Sequence, residues 1–289
     1  MTDNELDAII RLLDDPDSTV FKILENKLIS EGTGVIPRLR AAAGNSALKL
    51  LQTRIKSIVH QIQQNDIRQG LTNWKDHDEN LLQGAWLVSK YGYPDIQYSA
   101  LQDVFSTIAN NAKILNYNNF SPLEQIKFIN HVFYKKLKFV SCQTMDFFRP
   151  DNSFIAYTLE KRIGNPISIA IIYMLLAQYC QIPVYGVNLP KNFIVAYVSP
   201  NDNRSMFYIN PFNQGAVLNE DEIIFFLKQQ NISPQSQFFN QCSNSVIIQR
   251  LLHNLKTSYE RLKKPQEEQE VDSLLKVFKN GLSAKIEWE

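Results

Sequence analysis

The chain has 289 residues, is 44% hydrophobic and 20% charged, and carries a formal net charge of +1. That length suits one large or two modest globular domains, and the near-neutral charge excludes recognition of nucleic acid or an anionic membrane surface through bulk electrostatics. The acidic, amphipathic start MTDNELDAIIRLLDD lacks a basic segment followed by an apolar run, and the longest apolar run, Ile167 to Ala177, is shorter than a bilayer span, so neither a signal peptide nor a membrane segment is expected.

Apolar residues fall at helical spacing from the outset: Leu6, Ile9, Ile10 and Leu13, then Val20, Ile23, Leu24 and Leu28. Asp14-Asp15-Pro16-Asp17 separates these two helices, with Asp17 or Ser18 as the cap of the second. A third begins near Ile36-Pro37. Residues 1–45 resemble a single HEAT-type hairpin. No second copy follows at a period of about 40 residues, which argues against a solenoid. Further helices are predicted over 45–65, 80–91, 96–112 and 122–135, the last capped by Ser121.

After Leu137 the pattern changes. A short helix is predicted over 153–159, and Gly164-Asn165-Pro166 opens a long apolar helix to about Tyr179, with Pro at the first helical position, where its missing N–H costs nothing. Residues 184–187, 193–198 and 206–209 are rich in Val, Ile, Phe and Tyr and read as strands, with a hairpin turn at Asn201-Asp202-Asn203. Helices return over 220–229, 244–263 and 270–282. The order predicts an α+β fold.

The cysteines, Cys142, Cys180 and Cys242, are odd in number and widely spaced, which points to a reduced, cytoplasmic chain rather than a disulfide framework or a zinc site. His60, His77, His131 and His253 stand on separate elements without ligand spacing. No metal and no cofactor are expected.

The run NSFIAYTLEKRIGNPISIAIIYMLLAQYCQIPVYGVNLPKNFIVAY, followed by INPFNQGAVL, resembles the core of the SirB-type transglutaminase-like family. LLQGAWLVSKYGYPD resembles the segment before that core, and VIIQRLLHNLKTSYERLKKPQ the start of the family's tetratricopeptide-like helices; together they cover roughly residues 80–280. The resemblance implies a papain-related fold in which a central helix packs on a small antiparallel sheet. The resemblance does not account for residues 1–45; with them, the chain is expected to divide into a HEAT-like helical hairpin over 1–45 packed on the core, a transglutaminase-like domain over 46–240, and tetratricopeptide-like C-terminal helices over 241–289.

In the wider superfamily a Cys at the helix N-terminus attacks, a His on the next strand is its base, and an Asp on a further strand orients the His. Matched position by position, the nucleophile falls on Pro166, the base on Asn192 within Pro190-Lys191-Asn192-Phe193, and the orienting acid on Asn210 within Asn210-Pro211-Phe212. Lys191 stands where the family has Gly. Pro166 is usual in the SirB-type branch; Asn192 and Asn210 depart even from that branch. An amide has no proton affinity at neutral pH, so Asn192 cannot serve as a general base. An Asn192–Asn210 hydrogen bond would keep the old geometry without charge. The resemblance therefore implies a catalytically inactive module that binds a protein or a peptide. The competing expectation is a hydrolase or acyl transferase whose nucleophile has moved to Ser168 or Cys142.

Overall fold

The structure, a computed structural model, describes residues 1–77, 80–110, 120–201 and 204–278. The chain divides into two compact units, Met1–Thr72 and Asn73–Glu289, and the cut falls inside one long helix.

The first unit holds α1 (Asp3–Arg11), α2 (Ser18–Glu31), α3 (Ile36–Asn45) and most of α4 (Lys49–His77). Thr2 and Glu5 form a reciprocal capping box on α1, and the Asp17 side chain accepts from the Thr19 N–H to cap α2. Leu6, Ile10, Leu13, Leu28 and Leu39 share one core with Ile55, Ile58 and Ile62 of α4. Arg54 ties α4 to the α1–α2 link by donating to the carbonyls of Leu13 and Asp15, each at 2.7 Å. The boundary expected at 45/46 is thus displaced: a hairpin of 45 residues lacks apolar partners for this face, and the first half of α4 supplies them.

In the second unit, α5 (Leu81–Gly92), α6 (Tyr98–Asn110) and α7 (Pro122–Asn130) lead to a π-helical turn, His131–Lys136. Ser121 and Glu124 close a capping box on α7. The far end of the helix expected to reach Ala112 lies outside the described residues. Then come β1 (Val140–Ser141), α8 (Ile155–Lys161), β2 (Ile163–Gly164) and α9 (Pro166–Tyr179). α9 is buried without a break from Pro166 to Met174, as suits a helix that is apolar on every side.

Four strands follow as an antiparallel meander in chain order: β3 (Val184–Val187), β4 (Ile194–Val198), β5 (Ser205–Asn210) and β6 (Ala216–Leu218). The turn expected at 201–203 falls largely on residues outside those described, but the Ser199 N–H donates to the Arg204 carbonyl across that hairpin. Val187, Ile194, Ala196 and Tyr208 face Ile223 and Leu227 of α10 (Glu220–Gln229). α9 packs against β3 and β4, so every residue of β4 is buried. This is an α+β fold with the small sheet laid on α9.

α11 (Asn244–Arg261) and α12 (Pro265–Leu275) close the unit. They do not stand apart as the expected 241–289 region. α11 packs on α5 and α9, buries Ile247, Ile248, Leu251, Leu252 and Leu255, and groups with the core as one compact body. α12 starts at Pro265 rather than 270. Pro at its first position with Glu267 and Glu268 in its first turn suits a helix start. The expected end at 282 lies outside the described residues.

Candidate functional site

The site begins where β2 turns into α9. Gly164 pairs with Ser141, and the Cys142 N–H donates to its carbonyl at 2.9 Å. Asn165 is the N-cap. Its Oδ1 accepts from the Ser168 N–H at 3.0 Å, and its Nδ2 donates to Ser153 Oγ at 3.2 Å. The Ser168 hydroxyl returns to the Asn165 carbonyl at 3.2 Å. All three polar residues are buried, with Asn165 at 1% exposure and Ser153 and Ser168 at 0%. Gly164 sits so close that a Cβ there would meet Ser168 Oγ and would lie 2.8 Å from Thr158 Cγ2. The first helical residue is Pro166, which has neither an N–H to offer nor a nucleophile. The helix start that could hold an anion is therefore filled by the chain's own side chains.

Asn192 stands in the turn before β4. Its N–H donates to the Leu189 carbonyl at 3.2 Å, and its own Oδ1 accepts from the Phe193 N–H at 2.8 Å. Its neighbour Lys191 has φ of 61°, a left-handed conformation that suits the Gly implied there by the resemblance and costs a Lys about 1 kcal/mol.

Asn210 ends β5, opposite Ala216. Its Oδ1 accepts from the N–H groups of Phe212 and Asn213, at 3.1 and 3.2 Å, and so caps a 3₁₀ turn over Pro211–Asn213. That loop is fastened from outside. Tyr134 Oη donates to the Pro211 carbonyl at 2.6 Å, Ser141 Oγ to that of Phe212, and Asn130 Nδ2 to that of Gly215 at 2.9 Å. Tyr173 of α9 donates in turn to Asn130 Oδ1 at 2.7 Å. The expected Asn192–Asn210 hydrogen bond is not formed. Each amide oxygen has a backbone N–H one to three residues further on, and these local bonds cost less ordering than a link between segments.

The two substitute nucleophiles fare differently from what acyl transfer needs. Ser168 is sealed beneath Gly164, and its hydroxyl donates to the backbone of its own first turn. Cys142 lies beside the site through its backbone, but burial, and after it the charge of Asp146, pushes its thiol up to about 11. Cys242 is raised further, to about 12, chiefly by burial. Neither favours the thiolate. None of the three cysteines is in a disulfide. Among the described residues no group of His, Cys, Asp or Glu is placed to hold a metal ion, and no helix is long and apolar enough to cross a membrane.

The model of the transglutaminase-like superfamily matches residues 99–253, more than half of the chain. A UPF0162 protein of Xylella fastidiosa (strain 9a5c) is 25% identical over 197 residues, which is 62% of this chain and 64% of that protein. Protein SirB1 of Salmonella typhimurium is 33% identical over 112 residues, 37% of this chain and 40% of its own. The chain belongs to the SirB-type transglutaminase-like family. Mouse F-box only protein 21 also matches, at 26% identity over 132 residues that make up 44% of this chain but 20% of the relative. The chain thus spans less than two thirds of the length of these relatives. No solved structure matches it.

The family matches the fold described above: the matched residues run from α6 through α9 and the meander into α11. Arg162, the residue before β2, is a basic position common in the family, for which the sequence offers an ion pair with Glu160 or another acid, or closure of the site rim. It adopts φ of 62° and has a buried nitrogen, Nη1, with no partner, while Glu160 pairs with Lys161 instead.

Proposed function

We propose that this chain is a transglutaminase-like protein without triad catalysis, and that it serves in a reducing, cytoplasmic setting as a module binding a protein or a peptide. One observation carries the reading: the start of α9 is capped by Asn165, which is bonded in turn to Ser153 and Ser168, all buried, beside a proline. A superfamily nucleophile needs the opposite, an exposed thiol facing a base. The positions matched to base and acid carry amides spent on their own turns. The reading of a moved nucleophile gains nothing from Ser168, which is enclosed, or from Cys142, whose thiol is held protonated.

Support for binding comes from the family's tetratricopeptide-like helices, an argument of fold analogy. Large apolar side chains also remain in solvent, including Phe225 of α10 at 63% and Leu262, just after α11, at 51% exposure. Intact-mass labelling with iodoacetamide and a fluorophosphonate tests the catalytic half. Slow alkylation of Cys142 and Cys242 and no serine adduct are expected; one residue reacting far faster than free thiol would overturn the reading. A photo-crosslinking side chain at Phe225 or Leu262, activated in cells, tests the binding half. An adduct of one discrete mass is expected, and monomer alone at both positions would count against it.

A further inference from the structure

Among the described residues, the buried side-chain atoms without a hydrogen-bond partner include Nη1 of Arg162, the only one of them on a charged group. The guanidinium carbon lies 4.9 Å from the centre of the Phe139 ring. No described side chain gives Arg162 an ion pair or a hydrogen bond. Burial alone accounts for the lowering of its pKa, with no carboxylate offsetting it. Yet its backbone is pinned: its N–H donates to the Thr158 carbonyl at 2.9 Å, and its own carbonyl accepts from the Val140 N–H at 2.8 Å. The left-handed conformation that this demands is one that a glycine would adopt at less cost. Arg162 is only partly buried, but a buried donor left without a partner is costly and strain of this kind gathers at ligand sites.

The same side chain lines a cavity of about 670 Å³ between α5, α6 and α8, within the range usual for small-molecule sites. Ile96, Leu101, Val104 and Leu159 make its wall apolar. Two acids also line it. Glu160 is paired with Lys161 at 2.7 Å, and Asp95 has an interaction of its own. The cavity is separate from the vestigial triad, since Pro166, Asn192 and Asn210 do not line it.

We propose that this cavity binds small organic monocarboxylates with an apolar body. Arg162 takes the carboxylate through its planar donor fork, which matches two carboxylate oxygens. Ile96, Leu101, Val104 and Leu159 take the body. With Glu160 and Asp95 already engaged, Arg162 disfavours cations, and neutral analogues gain only the apolar contribution.

Isothermal titration of the full chain with octanoate, 1-octanol and octyltrimethylammonium tests this. Octanoate is expected to bind at least about tenfold more tightly than 1-octanol, the scale of one charge-assisted hydrogen bond, and the cation not at all. Arg162→Met should lose that advantage and leave 1-octanol binding unchanged. Val104 is 44% exposed on α6, so Val104→Trp should fold and abolish binding of both. If Arg162→Met fails to fold, Val104→Trp and amide shifts over 93–101 and 156–162 on octanoate addition decide the matter. Octanoate and 1-octanol binding equally, octanoate not binding at millimolar concentration, or shifts confined elsewhere would each overturn the proposal.

Discussion

Replacing Asn165 separates a structural helix start from a strained functional one. Asn165→Ala removes two interactions at once: the cap on the Ser168 N–H and the bond to Ser153 Oγ. Losing an N-cap costs about 1 kcal/mol. Losing the second bond leaves a fully buried hydroxyl short of a partner, at about 1–2 kcal/mol. The sum is about 2–3 kcal/mol, or a fall in Tm of roughly 4–12 °C for a unit of this size. Asn165→Ser divides the two terms. Serine caps about as well as asparagine but is too short to span to Ser153, so it should cost only the second term, about 1–2 kcal/mol. Urea unfolding followed by tryptophan fluorescence measures this, because Trp74 and Trp86 lie in the second unit and the first unit has none. A joint transition of both units would be analysed only where two-state behaviour holds. If Asn165→Ala is neutral or stabilising, the cap is strained in the way of working sites and the argument for a closed helix start fails. If serine is as costly as alanine, the cap itself contributes nothing.

Two further outcomes follow from the site. Cys142 and Cys242 have folded-state values raised to about 11 and 12 from a reference of 9.0. Raised values mean that the folded state holds these protons more tightly, so their stabilising contribution is full below pH 9 and is lost as pH climbs toward 11 and 12. Urea midpoints should therefore fall between pH 8.5 and 10.5, and Cys→Ala at either position should shrink that fall; an unchanged slope would refute the cause. Because Asn192 and Asn210 each cap their own turn, Asn192→Ala and Asn210→Ala should add within about 0.5 kcal/mol in a double-mutant cycle. A coupling above about 1 kcal/mol would restore the bond between them that the structure does not form.

The central helix and sheet were legible because their apolar character is continuous. α9 begins at Pro166 as its turn chemistry dictates, and β3, β4 and α10 fall within a residue of the apolar runs that announce them. β1 and β2 were not legible. Each is two residues long and pairs in parallel with a segment some twenty residues away, too short to carry an alternation. β6, at three residues, fails for the same reason. The unit boundary was misplaced because a helix of 29 residues serves two bodies, and periodicity marks the helix without saying where its partners change. In the site, the residue identities were readable and their bonding was not. Position matching puts Asn192 and Asn210 at the positions that the resemblance assigns to base and acid, but a side-chain amide turns toward the nearest unpaired N–H, and that is decided by the turn geometry around Lys191 and Pro211.

That local bonding explains how base and acid positions can change without disturbing the fold. A catalytic His depends on its orienting acid, and a buried acid depends on its partner for charge compensation. Once both are amides, neither makes that demand. Asn210 does the acceptor work of an aspartate on the Phe212 and Asn213 N–H groups with no charge to neutralise. The loop it caps is held by Tyr134, Ser141 and Asn130, none of which needs the amide. At the helix start, Asn165 supplies the acceptor for the Ser168 N–H and Pro166 has no N–H to offer. Each of the three positions is satisfied by itself, as the proposed non-catalytic reading requires, whereas the members of a working triad lose their function together.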